Sequence, residues 1–282
     1  MNFNSRRKLT SRLVEVLCGL SVAVALVPLA TILGYLVYRG VGSLDWAFFT
    51  HMPKPVGEIG GGMANAIFGS LLLVGLGAVL GVPVGVMSGL HLAEFPGTRF
   101  ATAVRFAADV LNGVPSIVVG IFAYALVVLP FKKFTALSGG FALGVMMIPI
   151  IARSTEELLK LVPPTLREGA LALGATRARA AFTVVLPAAL PGILTGVLVA
   201  LARVAGETAP LIFTAFGNRF WSSSLTEPIS ALPLQIYVYA ISPYDDWHRQ
   251  AWAGALVLVT LVLIVSMLAR LATRRIERLN RR

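Results

Sequence analysis

The chain has 282 residues, of which 57% are hydrophobic and only 13% charged, with a mean hydropathy of +0.82. So few charged groups cannot cover a solvated surface of this size, which excludes an ordinary soluble domain and defines an integral membrane protein. The formal net charge of +11 does not point to nucleic acid, because the basic residues sit at the ends of apolar runs rather than on a soluble face with interleaved aromatics; anionic membrane lipid is the simpler partner.

Spanning roughly 30 Å of hydrocarbon takes about 20 apolar residues at about 1.5 Å each. Six runs approach or exceed this: Leu13–Val37, Ala64–Leu90, Phe106–Leu129, Ala136–Ala152, Pro187–Leu211 and Ala251–Ala269. Each is continuously apolar, where barrel strands would alternate, so the fold class is all-α, a polytopic membrane protein with six transmembrane helices. The first run follows a basic N-terminus, but it is too long for a signal-peptide core and lacks a cleavage site, so a retained helix is expected. Cys18 lies alone within it, which rules out an intramolecular disulfide and leaves a packed thiol as the expectation.

Basic residues set the orientation. With both termini cytoplasmic, the inner segments hold Arg6, Arg7, Lys8 and Arg12, then Arg99 and Arg105, then Arg153, Lys160, Arg167, Arg177 and Arg179, then Arg270, Arg274, Arg275, Arg278, Arg281 and Arg282. The outer segments hold only Arg39, Lys54, Lys132, Lys133, Arg219 and Arg249. The chain divides accordingly into an N-terminal tail, first helix and outer loop (1–63), a five-helix core (64–270) and a basic cytoplasmic tail (271–282).

The outer loops fall near residues 38–63, 130–135 and 212–250. The longest inner gap, 153–183, is not loop-like in composition. Leu158, Leu159, Leu161 and Val162 precede Pro163-Pro164, and Thr165 and Glu168 have capping-box spacing. Two short helices along the cytoplasmic face are expected there. No phosphate-binding loop of the Gly-x-x-x-x-Gly-Lys-Ser/Thr kind occurs, so ATP hydrolysis cannot reside on this chain.

That gap carries Glu168-Gly169-Ala170, three residues, Gly174, nine residues, and Val184-x-Leu186-Pro187. Small residues let a short helix seat closely in a groove on a partner, and Glu168 supplies a charge for docking. Gly174 suits the helix end. A mere connector between spans would share the Glu and Ala, but not Gly174 and Leu186-Pro187 in register.

A second constellation is Arg203-Val204-Ala205-Gly206-Glu207-Thr208-Ala209-Pro210. Arg203 and Glu207, four apart, share a helix face and can pair. They fall about 24 and 30 Å along a helix counted from Pro187. One reading is a structural ion pair near the outer boundary; the other places Arg203 on the path of an anion, with Glu207 holding it and preventing permanent capture. The third constellation, Asp109-x-x-Asn112-Gly113-Val114-Pro115-Ser116, reads as helix-start capping, or as a broken helix whose amides and side chains face an anion. His51, His91 and His248 have no metal-ligand spacing. Tyr237, Tyr239, Tyr244, Trp247 and Trp252 fit an outer interfacial belt.

The loop motif resembles the EAA signature of ABC importer permeases, with Gly169 in place of an Ala and Val184 in place of an Ile. Together with LNGVPSIVVGIFAY at Leu111–Tyr124, EGALALGATRARAAFTVVLPAALPGILTGVLVALARVAGETAPL at Glu168–Leu211 and LPLQIY at Leu232–Tyr237, the chain resembles the PstA-type permeases of phosphate ABC importers. The resemblance covers most of residues 64–269. It implies a six-span type I, MetI-like bundle in the bacterial inner membrane, not itself an enzyme. It also implies a PstC-like permease subunit, a PstB-like ATPase dimer and a PstS-like phosphate-binding protein as partners. No cofactor is expected on this chain; ATP and Mg belong to the partner ATPase. The resemblance further implies an ATPase-coupling set of Glu168, Gly169, Ala170, Gly174, Leu186 and Pro187. The anion-path set is Arg203, Glu207, Thr208, Asn112 and Ser116. Another oxyanion such as sulfate or phosphonate, or a stand-alone secondary carrier, are the alternatives.

Overall fold

The structure is a computed structural model that describes residues 3–280, without the side chains of residues 3–6, 9, 269 and 272–280. The side chains of Arg6, Arg274, Arg275 and Arg278, and all of Arg281 and Arg282, lie outside the described residues. Among the described residues the chain is helical, with no strand beyond two isolated bridges, Pro53 with Gly61 and Phe216 with Ile229.

Helix α1 (Phe3–Val41) is followed by the short α2 (Trp46–Thr50) and the long α3 (Ala64–Glu94). Then come α4 (Arg99–Gly113) and α5 (Ser116–Ala123), the latter running through a π turn at Tyr124–Val128 into α6 (Leu129–Phe131). Helix α7 (Ala136–Lys160) leads to α8 (Pro164–Ala172) and α9 (Arg177–Ala180), which passes through a second π turn, Ala181–Val185, into α10 (Leu186–Ala205). The chain ends with α11 (Ala209–Thr214), α12 (Leu232–Ala240) and α13 (Asp245–Asn280).

Five of these stretches are long and apolar enough to cross a membrane, and α4 with α5 and α6 makes a sixth if the bent pair is one span. That bend corrects the expectation of a continuous helix over Phe106–Leu129: the axis turns by 109°. The turn falls where Pro115 forces the residue before it out of the helical region, and Val114 takes φ −72°, ψ 130°. The fifth predicted span is also interrupted, because α10 stops at Ala205 and the chain breaks over Gly206–Thr208 before α11. The first of the two short helices expected in the inner gap proves to be the end of α7, since nothing in Arg153–Lys160 breaks a helix.

The centre of the molecule is the pair α3 and α7. Gly77, Gly81, Gly85 and Gly89 recur every four residues on the buried face of α3. A Cβ at Gly81 would lie 2.7 Å from the Met147 Cβ, at Gly85 2.7 Å from the Ile151 Cβ, and at Gly89 2.5 Å from the Thr155 Cβ. Gly140 and Gly144 of α7 receive Leu76 and Leu80 in return. Apolar lipid provides no hydrophobic force between helices, so close backbone contact of this kind supplies the packing energy. Helix α10 covers the pair through Ile193 and Val197, which join Leu143, Met147 and Ile151 in one core.

The remaining elements frame this core. The N-terminus of α7 is closed by a capping box between Thr135 and Ser138, and its free amides donate outward: Thr135 to the Thr214 carbonyl, Ala136 to Glu227 and Leu137 to Leu225. These bonds fasten the segment between α11 and α12 over the end of the bundle. A second core of Phe48, Met63, Leu232, Tyr239 and Trp247 lies beside it. Tyr239 and Trp247 are therefore stacked core residues, 4.5 Å apart, rather than belt residues; Tyr237, Tyr244 and Trp252 stay exposed. Helix α1 stands out from the bundle, its buried Leu36 and Gly40 lying near the end that meets α13. Cys18 is exposed on it, not packed as expected, because no neighbouring helix reaches that level of α1.

Candidate coupling segment and polar path

Lys160 ends α7, and the chain must reverse to climb back as α10. Pro163 and Pro164 enforce the turn: Pro164 occupies the first helical positions of α8, where its missing N–H costs nothing. The expected Thr165–Glu168 capping box is absent as a result, since the helix already begins before Thr165 and Pro163 at its N-cap makes no side-chain cap bond. Glu168 is left exposed, with no ion pair among the described residues.

Helix α8 is pinned at one point and stopped at another. Arg167 pairs with Glu94 at the end of α3 at 2.6 Å. Gly174 terminates the helix as expected: at φ +84° its N–H donates to the Leu171 carbonyl and the Ala175 N–H donates to Ala170, the paired bonds of a Schellman cap. A side chain at that φ would be strained. Beside it Leu173 is 91% exposed, and Leu161 and Leu166 are exposed too. The segment thus offers a small-residue helix with one free carboxylate and an uncovered apolar rim.

Leu186 and Pro187 have a structural explanation. The Leu186 N–H donates five residues back to Ala181, which makes the turn before Pro187 a π turn. The same device precedes Pro130, where Leu129 bonds to Tyr124. A proline ring clashes with the carbonyl four residues earlier, and widening the preceding turn gives it room. At Leu186-Pro187 the widened turn lets the α9 stretch run on into α10 as one apolar stretch from Arg177 to Ala205.

The polar candidates lie around the two helix breaks. Asn112 is in the last turn of α4 and Ser116 opens α5; neither caps a helix start, because α4 runs through Asp109 and Asn112 and the N-cap of α5 is Pro115. Arg203 is exposed in the last turn of α10, whereas Glu207 falls beyond it, in the break. They form no ion pair: Gly206 ends the helix before the four-residue spacing can place both on one face. Thr208 donates to the Pro233 carbonyl at 3.5 Å. Helices α5 and α11, which follow the two breaks, pack together where Gly120 meets Pro210, a contact so close that a Cβ on Gly120 would lie 2.6 Å from the Pro210 Cα. The fold thereby gathers both breaks around one helix pair. Arg203, Glu207, Asn112 and Ser116 have side chains with no hydrogen-bond partner among the described residues.

One charged cluster escaped sequence reasoning. Glu156, fully buried on α7, accepts from Arg105 of α4 at 2.7 Å and from Arg153 at 3.0 Å, and also pairs with Lys160. Arg153 reaches on to Asp109 at 3.1 Å. These bonds tie the bent α4 to the end of α7 directly before α8. The signal was present as Arg153-x-x-Glu156-x-x-x-Lys160, the spacing of a helical ion-pair face.

A bundle of apolar helices with two broken ones, uncompensated polar groups at the breaks and an exposed glycine-stopped helix between two spans has the architecture of a type I ABC importer permease. The solved bacterial alginate ABC transporter aligns with a TM-score of 0.68 at 16% identity, covering 96% of this chain and 97% of that one. The MetNI methionine ABC transporter in an inward-facing conformation aligns with a TM-score of 0.59 at 21% identity, covering 76% and 94%. Residues 81–278 match the family of binding-protein-dependent transport system inner membrane components. The phosphate transport system permease protein PstA of Yersinia pestis is 44% identical over 265 residues, which cover 94% of this chain and 90% of that relative. The chain belongs to this family of inner-membrane transport components, within its PstA branch.

Proposed function

We propose that this chain is the membrane subunit through which an ATP-driven importer moves inorganic phosphate into the cell. The observation that carries the substrate is the near full-length kinship to the Yersinia pestis phosphate permease; the unpaired Arg203 at the end of α10 agrees with it, since a guanidinium fork matches phosphate oxygens. Both termini face the cytoplasm on this reading, which puts α8 inside and the segment between α11 and α12 outside.

The partners follow from the same kinship. A PstB-like ATPase dimer binds ATP and Mg and receives α8 through Glu168, Gly169 and Ala170, with Gly174 ending the contact and Leu186-Pro187 passing its movement into α10. A PstC-like permease subunit completes the path past Arg203, Glu207, Thr208, Asn112 and Ser116, and a PstS-like binding protein delivers phosphate from outside. Closure of the ATPase dimer favours one orientation of the path over the other, an equilibrium shifted by differential binding. No covalent chemistry on phosphate is required.

The test is a pull-down combined with ATPase stimulation. Glu168→Lys is expected to lose the ATPase subunit, with at least a tenfold drop in captured protein, while the second permease stays bound. Phosphate-loaded binding protein is expected to stimulate hydrolysis by the wild-type complex and sulfate-loaded protein is not. Normal capture by Glu168→Lys refutes the coupling role; stimulation by sulfate alone refutes the substrate.

A further inference from the structure

At the end of the bundle opposite α8, α12 and the segment between α11 and α12 line an open cavity of about 300 Å³ that includes Phe216, Arg219, Ser230, Leu234, Gln235 and Tyr237. Its walls are built, not draped. The amides at the start of α7 hold the segment from Thr214 to Glu227, and Asn65 donates to the Asn218 carbonyl at 2.8 Å. Asn218 uses its own amide on the Pro228 carbonyl and its oxygen on the Phe220 N–H. Phe216 and Gly217, both at positive φ, make the corner, and the Phe216 ring stacks on Phe134 at 4.7 Å.

The polar side chains in and behind this cavity that a ligand would meet or feel are Arg219, Gln235 and Tyr239. Gln235 is only 7% exposed, and its carboxamide oxygen accepts from the Ser230 hydroxyl at 3.0 Å. That bond turns the amide nitrogen away from Ser230, and one of its two protons goes toward the Tyr239 hydroxyl. The Tyr239 hydroxyl, buried behind the cavity wall at 1% exposure, lies close enough to the Gln235 amide and to Arg219 to feel both. Arg219 has no carboxylate within 4.0 Å; its guanidinium rests on the ring of Trp247 at 5.5 Å, itself stacked on Tyr239. Asp246, whose charge also reaches Tyr239, is engaged by Arg249, Gln250 and the Gly60 N–H. A guanidinium held on an aromatic face is oriented before any ligand arrives. A group rich in acceptors and negative charge seated in the cavity answers the Arg219 guanidinium and the remaining amide proton of Gln235.

We propose that this cavity is an entry subsite for a tetrahedral oxyanion, met before Arg203. The inference rests on the importer reading, from which the anion is phosphate. Arg219 supplies the charge and Gln235 the orienting amide. The complete transporter in proteoliposomes, with saturating phosphate-loaded binding protein, provides the test. Arg219→Gln and Gln235→Glu are expected to lower phosphate imported per ATP hydrolysed at least tenfold, with capture of the binding protein unchanged. Arg219→Lys is expected to keep a substantial part of the wild-type ratio. Arg249→Gln, which removes an equal charge from the same end of the molecule, is expected to leave it intact. A wild-type ratio in Arg219→Gln and Gln235→Glu overturns the subsite, as does an equal fall in Arg249→Gln. Loss of binding-protein capture in step with uptake also overturns it, assigning Arg219 to docking. Recovery of the variants when anionic lipids are replaced by phosphatidylcholine assigns the site to a lipid headgroup and contradicts a free anion. If the wild-type complex imports a different oxyanion, the phosphate reading fails while the same variants still test the subsite.

Discussion

Glu156 gathers Arg105, Arg153 and Lys160 around a carboxylate that has no exposure of its own. Removing the negative charge leaves the cations facing one another, so Glu156→Gln is expected to destabilise the chain, toward the lower end of the ~3–5 kcal/mol seen when a buried ion pair loses one partner, because the cations retain some water. A lowered thermal midpoint of the purified protein in detergent checks this; an unchanged midpoint removes the cluster from the account. Arg203 is the contrasting case, a cation with no partner. Arg203→Gln is expected to leave assembly and the thermal midpoint unchanged and to reduce phosphate uptake at least tenfold, equivalent to about 1.4 kcal/mol or more of lost stabilisation along the path. Uptake at the wild-type rate contradicts the anion-path role. Arg203 was readable as a charge ending an apolar run, and Glu156, beyond the run that ends at Ala152, only through its spacing to Arg153 and Lys160. The rest was not, since Glu156 also pairs across to Arg105, 51 positions away, and the helix break at Gly206 cancels the pairing that spacing offered Arg203 and Glu207.

The glycine spacing on α3 sets how near α7 can come. Gly85→Leu places a branched side chain where even a Cβ would stand 2.7 Å from the Ile151 Cβ, and the two backbones have to part along their length. Overpacking of this kind costs about 1–3 kcal/mol. A lower thermal midpoint and reduced recovery of folded protein are expected, whereas Gly75→Ala, at a site with nothing within 4 Å, is expected to be neutral. Equal effects at the two positions refute the close-contact account. The long apolar elements were legible because hydropathy alone defines them, and Gly174 was legible because a helix stop at positive φ favours glycine. The 109° turn at Val114-Pro115 was harder to foresee. A proline two residues after a glycine inside an apolar run fits a kink, a helix start or a full break, and only packing of α5 against α11 settles which. The π turns before Pro130 and Pro187 were invisible for a related reason: the sequence marks the proline, not how the preceding turn yields to it.

At the scale of the molecule, α8, pinned to α3 by Arg167 and Glu94, leads through a π turn into α10, whose far end carries Arg203 and the break. One continuous apolar stretch therefore joins the segment assigned to the ATPase with the segment assigned to the anion. The class of transporter was readable from the EAA spacing; phosphate as the cargo depends on kinship, since no single residue distinguishes it from other oxyanions. The most direct measurement of the central claim is uptake of labelled phosphate into proteoliposomes carrying this chain with its second permease, ATPase and binding protein. The account predicts uptake that requires ATP and every partner, resists excess sulfate and is absent from vesicles holding this chain alone. Gradient-driven phosphate flux through this chain alone, or ATP-driven uptake of sulfate in place of phosphate, would contradict it.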